Sequence, residues 1–274
     1  MFSNERHILL DRGLTDAAGA RHRHARLAPV DGRAEEAIAS LAGRPVSGPQ
    51  KDRVLTGTLA GLGGYDTVTP DLAAALSRSD RDRLFLELRA TLFGERIQLT
   101  TRCLNPACRA EADIDLTLSE LVPPAPPEPL PETVEVVLPG GTVRLRPVIG
   151  ADDPEAEEIW PTLVTEGDWA ALGPADRQRA ALALAEADPG PALGFAVGCP
   201  ECHLPIPIEI DPLELLAREL QMGAHRLLAE VHSLAFHYGW SEAEILALPR
   251  NRRWRYLELI SAQLTGGALT DGWR

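Results

Sequence analysis

The chain has 274 residues, enough for one large or two modest domains with a sizeable core. Hydrophobic residues at 45% and charged residues at 24% are those of a globular protein, whereas aromatics at 5% are sparse and 23 glycines with 23 prolines promise many turns. The net charge of −13 argues against general affinity for nucleic acid or anionic lipid, because Lys and Arg carry such binding by neutralising phosphates.

The opening MFSNERHILLDRG has no long apolar run, and nowhere do about eighteen apolar residues follow one another. The expectation is a cytoplasmic protein with no signal peptide and no membrane span. Residues 1–54 show little periodicity beyond a short helix near Glu35 to Leu41 and read as a partly irregular N-terminal arm. Its basic run RHRHAR, Arg21 to Arg26, reads as a solvated patch, with a phosphate or partner contact as the sharper alternative.

Residues 55–211 read as an α+β domain. GTLAGLGGYD, Gly57 to Asp66, has no Gly-Lys-Ser/Thr after it and places Asp66 where a dinucleotide fingerprint needs glycine, so it is a turn and not a phosphate cradle. Thr69-Pro70-Asp71 starts a short helix through Leu76. Ser79-Asp80 then caps a helix with Leu84, Leu88 and Leu92 on its core face. Alternating Ile97, Leu99 and Thr101, then Ala112, Ile114 and Leu116, make two strands around a first cysteine pair. VPPAPPEPLPE, with six prolines in eleven residues, is a stiff extended connector marking an internal boundary. A second hairpin turns at Pro139-Gly140-Gly141, and the chain becomes helical from Asp153-Pro154, with an interruption at Trp160-Pro161. LGFAVG and PIPIEID flank the second cysteine pair as strands, Pro205 and Pro207 confining the latter to an edge.

Residues 212–274 read as a C-terminal helical module. Asp211-Pro212 opens one long helix ending at Gly239, Ser241 and Glu244 form a capping box, and Trp240 can staple onto Ile245. RNRRWRYLELISAQL then carries the densest positive charge of the chain, either as a solvated face or as a docking face for an acidic partner.

The four cysteines, Cys103, Cys108, Cys199 and Cys202, come as CLNPAC and CPEC, two pairs with the spacing that lets both sulfurs of a tight turn point at one tetrahedral zinc. The 90 residues between Cys108 and Cys199 must then be an insertion, 109–198, whose ends return to one place. A ribbon without its metal, and unlinked thiols or a disulfide, are the alternatives. Four thiolates leave no open coordination position, so such a zinc is structural and not catalytic. The fold expected is α+β: split zinc-ribbon-like β hairpins, an α/β insertion and the helical module.

No GxSxG, HExxH, P-loop or EF-hand pattern occurs. Asp152-Asp153 reads as a helix cap, and His225 and His232 as surface or core residues, so no catalytic residue is assigned and no enzyme is expected.

HSLAFHYGWSEAEILALPRNRRWRYLELI resembles the tail signature of proteins encoded with contractile phage tails and tail-like injection systems: an aromatic-Trp-Ser turn, Leu-Pro, then an Arg-rich helix. DRDRLFLELRATLFGERIQLTTRC, VRLRPVIGADD and EADPGPALGFAVGCPEC are similar in order and spacing to phage baseplate proteins of the T-even hub-assembly type. The resemblance spans roughly Asp80 to Leu264. The first knuckle departs from it, with four residues between its cysteines and PACR in place of Cys-Gly. The resemblance implies a structural or assembly role among other baseplate or tail subunits, without a small-molecule substrate. The contacts expected are Trp240, Arg252, Arg253, Trp254 and Tyr256. The alternative is a zinc-ribbon adaptor that binds nucleic acid or another protein outside any tail particle.

Overall fold

The computed structural model describes residues 6–152 and 159–265. It is a mixed α+β structure with four small antiparallel sheets among the described residues. In chain order come β1 (Arg6–Thr15), β2 (Arg21–Leu27), α1 (Gly32–Ala39), α2 (Gly48–Thr58), β3 (Leu59–Leu62), α3 (Pro70–Ala75) and α4 (Arg78–Phe93). Next are β4 (Arg96–Arg102), β5 (Glu111–Thr117), α5 (Leu118–Leu121), β6 (Val134–Leu138), β7 (Gly141–Leu145), α6 (Ile159–Leu163), β8 (Val164–Glu166) and α7 (Pro174–Ala187). The chain continues with β9 (Gly194–Gly198), β10 (Pro205–Glu209), α8 (Pro212–Met222), α9 (Ala224–Tyr238), α10 (Glu242–Leu246) and α11 (Arg250–Leu264). Two compact units result among the described residues: residues 28–45 with 214–265, and residues 6–27 with 46–213.

The larger unit corrects the expectation of an irregular N-terminal arm. β1 and β2 pair antiparallel, and β3 adds to β2. The basic run is strand β2, whose two-residue period buries Arg23, Ala25 and Leu27. Arg23 is satisfied there, donating to the carbonyls of Leu10, Pro126 and Pro127 at 2.8, 2.6 and 2.9 Å. The glycine-rich turn wraps His22 of the same strand. The Gly64 N–H donates to its Nδ1 at 3.1 Å, Asp16 holds its Nε2 at 3.0 Å, and a Cβ at Gly63 (φ +56°) would lie 2.4 Å from the ring.

Helix α4 lies against β1. Its cap is Ser77, two residues earlier than the sequence suggests: the Ser77 hydroxyl accepts the Asp80 N–H, while Ser79 is drawn off to Asp188 at 2.6 Å. The Asp80 carboxylate accepts the amides of Asp11 and Gly13 at 2.7 and 2.8 Å. The proline connector is no boundary, because Arg23 and an Arg83 bond to the Pro123 carbonyl strap it down within this unit. The insertion has its own core of Leu138, Val143, Leu145, Ile159, Leu163, Trp169, Leu172 and Leu184. Strand β8 joins β6 and β7 there, and α6 runs through Trp160-Pro161 instead of breaking. The expected helix start at Asp153-Pro154 lies outside the described residues. Asp152 itself grips Arg146 at 2.6 Å and the Ile149 amide at 2.9 Å.

In the smaller unit, α1 joins the C-terminal helices, so the module extends beyond residues 212–274. The single helix expected from Asp211 to Gly239 is two, broken at Gly223, which caps α9. The capping box of Ser241 and Glu244 forms. Leu234, Ile245 and Ile260 make the core, with Trp240 and Tyr256 packed against it.

Candidate metal centre and aromatic face

The two cysteine pairs sit at the tips of two similar units. β4 and β5 are an in-register hairpin from Arg96↔Thr117 to Arg102↔Glu111, and β9 and β10 pair from Gly194↔Glu209 to Gly198↔Pro205. Pro205 and Pro207 sit on a two-stranded sheet, where every strand is an edge and a missing N–H is tolerated. Cys103 and Cys199 directly follow the incoming strands, and their amides donate across the knuckle to the carbonyls of Ala110 and Leu204 at 2.8 and 2.9 Å. Immediately after the second cysteine of each pair the backbone turns left-handed, at Arg109 (φ +51°) and His203 (φ +61°).

The four sulfurs lie within 4.8 Å of one another. Cys103 and Cys202 approach to 3.6 Å, Cys108 and Cys199 to 3.7 Å, and all four thiols are free. These separations far exceed a disulfide bond and match the edge of a tetrahedron built on metal–sulfur bonds of about 2.3 Å. Cys103 and Cys199 are buried, whereas Cys108 and Cys202 are partly exposed.

Backbone amides converge on the sulfurs. Asn105 donates to Cys103, Ala110 to Cys108, and Cys202 and Glu201 to Cys199. With the Cys202 amide leading, Cys199 is pulled down to about 6. For Cys103 the Asn105 amide pulls the same way, but burial and the other three thiols outweigh it and push the thiol up to about 12. Four such groups cannot all ionise side by side without a cation, whereas one ion in their midst replaces the protons they share. The quartet can therefore hold a metal ion, and among the described residues no other cluster of His, Cys, Asp and Glu converges in this way. His203, beside the site in sequence, is exposed and outside the quartet.

The contact residues expected on the C-terminal helices divide. Arg252 is exposed and Trp254 is 41% exposed, under Arg226, whose guanidinium stands 5.5 Å from the ring centroid. Trp240 and Tyr256 are half-buried and meet edge to face at 4.9 Å, with Tyr238 stacked on Trp240 at 4.8 Å. Arg253 is fully buried and is corrected from a surface contact to a core residue. It donates to Glu35 at 2.8 Å, to Glu230 at 2.9 Å and to the Leu248 carbonyl at 2.7 Å. Arg250 is drawn in by the same Glu35 at 2.6 Å, and the Trp254 indole N–H donates to Glu230 at 2.7 Å. Glu35 and Glu230 are thus the partners that sequence reasoning missed. Their only signal is an acidic residue at an inward helix position, visible once the helix faces are known. His225 and His232 lie exposed on α9.

No helix among the described residues is long and apolar enough to cross a membrane. No family model, curated protein or solved structure matches the chain.

Proposed function

We propose that this protein is a non-catalytic structural or assembly component of the baseplate of a contractile phage tail-like particle or injection system, held together by a structural zinc. The cysteine quartet carries the structural half of this reading. Four converging sulfurs with amide donors behind them are the donor set of a closed zinc-ribbon-like site, which leaves no position for substrate. Zinc is favoured because it accepts four thiolates in a tetrahedron without redox chemistry. In this role the ion pins the 109–198 insertion at both ends, and the helices display surfaces to neighbouring subunits. The baseplate half is supported by the signature from His232 to Ile260, within which Ser241 and Glu244 form a capping box and Arg253 is a buried ion-pair partner of Glu35.

Two measurements test the halves separately. Elemental analysis of protein purified without chelator should find about one zinc per chain, reduced in Cys199→Ser; no metal in either would remove the zinc. Deletion of the gene should abolish assembled baseplates in electron micrographs while sheath and tube proteins are still made. Normal particles from the deletion strain would remove the baseplate role.

A further inference from the structure

Each of the two knuckles carries one buried sulfur and one within reach of solvent. Cys103 is 5% and Cys199 1% exposed, whereas Cys108 and Cys202 are partly exposed. Two sulfur contacts run from knuckle to knuckle and join the unlike kinds: accessible Cys202 stands 3.6 Å from buried Cys103, and accessible Cys108 stands 3.7 Å from buried Cys199. An accessible thiol with a second thiol in contact is the arrangement of a reversible oxidation site, in which the first takes the oxidant and the second resolves the product. Here it occurs twice in one cluster.

We propose that Cys202 and Cys108 are oxidation sites for small hydroperoxides, resolved by Cys103 and Cys199 into two disulfides, Cys103–Cys202 and Cys108–Cys199, that tie one knuckle to the other. This goes beyond the structural-zinc reading and stands on the sulfur geometry alone. In each pair the accessible sulfur attacks an oxygen of the hydroperoxide, the O–O bond breaks, and a sulfenic acid forms while the thiol proton leaves with the displaced oxygen as water or an alcohol. The buried sulfur then attacks the sulfenyl sulfur, the S–O bond breaks, and the hydroxyl leaves with the second thiol's proton as water. The two sulfurs lose two electrons and the hydroperoxide gains them. Each contact has to close by about 1.6 Å to reach a bond of about 2.05 Å. The knuckle turns survive this movement, because the His203 N–H on the Cys199 carbonyl at 3.1 Å, and the Cys108 and Arg109 N–H groups on the Asn105 carbonyl at 3.0 Å, bind backbone and not sulfur. The rival pairing, Cys103 with Cys108 and Cys199 with Cys202, leaves the knuckles unconnected. Both cross-knuckle bonds span the 109–198 insertion, so they hold its ends together as an ion does, and disulfides and four-thiolate coordination exclude one another.

Peptide mapping of the full chain tests the pairing. Protein as purified is treated with hydrogen peroxide, alkylated and cut with trypsin, which leaves Cys103 and Cys108 together on residues 103–109 and Cys199 and Cys202 together on residues 180–218. The two peptides are expected to be joined, with all four thiols lost and then recovered by dithiothreitol, and fragmentation should place the bonds at Cys103–Cys202 and Cys108–Cys199. In Cys202→Ser the Cys108–Cys199 bond should still form while Cys103 keeps its thiol. Separate peptides with internal disulfides, a Cys103–Cys199 bond, a link between two copies of the chain, thiols that survive the peroxide or oxidation that runs to sulfinic acid each overturn the proposal. The map of the natural chain decides by itself if the variant loses its far-ultraviolet circular dichroism. Elemental analysis judges the zinc separately: cross-knuckle bonds in protein without zinc leave this proposal standing, and internal ones in zinc-loaded protein remove it without touching the zinc.

Discussion

Arg109 and His203 occupy a backbone region that favours glycine, each one residue past a cysteine. A side chain there costs of the order of 1 kcal/mol, and both are exposed. Arg109→Gly and His203→Gly are each expected to raise stability by about 1 kcal/mol in urea unfolding; a loss of stability would mean that the side chains make contacts outweighing the strain. Asp82 is the second residue with a measurable consequence. Burial pushes its carboxyl up to about 6, against the pull of Arg78 and Lys51. Between its ordinary value of 3.8 and 6 the folded protein keeps a proton that the unfolded chain releases, so stability falls as pH rises through this window. The fall is about 3 kcal/mol. Asp82→Asn should therefore be more stable than the natural chain at pH 7 and equal to it near pH 4, by unfolding at both values. The cysteines were legible because two to four intervening residues are what a metal-binding turn needs. The left-handed positions were not, since neither is glycine.

At the level of elements, the Glu35, Arg250, Arg253 and Glu230 network joins α1 to α9 and α11 through buried charge. Such a network is hard to alter one member at a time, because removing a carboxylate leaves buried guanidinium without its counterion. Glu35→Gln is expected to cost roughly 3 kcal/mol or more, read from the urea midpoint with an unchanged slope; a change below about 1 kcal/mol would show that water reaches Arg250 and Arg253. Periodicity and caps made α3, α10 and the β4–β5 and β6–β7 hairpins legible, since local propensity and tertiary structure agree there. Three elements depart from the sequence reading for identifiable reasons. Ser79 has the right chemistry to cap α4, but Asp188 competes for its hydroxyl and Ser77 takes the role. The α8–α9 break falls at a lone glycine inside a continuous apolar pattern. β2 was hidden because the buried side of a strand is rarely marked by arginine, and Arg23 is buried only because distant carbonyls receive it.

For the molecule as a whole, the division into units does not follow chain order, since residues 28–45 fold with residues 214–265. Composition gave no sign of this, as it depends on which helix supplies one carboxylate. A fragment of residues 212–274 lacks Glu35 and leaves Arg250 and Arg253 facing an incomplete network. It is expected to show reduced helicity and no cooperative thermal transition. Joining residues 28–45 to 212–274 through a flexible linker should restore both, and a cooperative transition in the short fragment would show that α1 is dispensable.

The placement of the cysteines has a consequence in time. During synthesis Cys103 and Cys108 emerge about 90 residues before Cys199, which at ribosomal speed is a wait of roughly 5 to 20 seconds. Through that interval the first knuckle has two thiols and no companions, while the insertion completes its own core at Leu184, before Cys199 is made. The quartet can close only after the last of its strands leaves the ribosome, so its completion marks the end of folding in this unit and not its beginning.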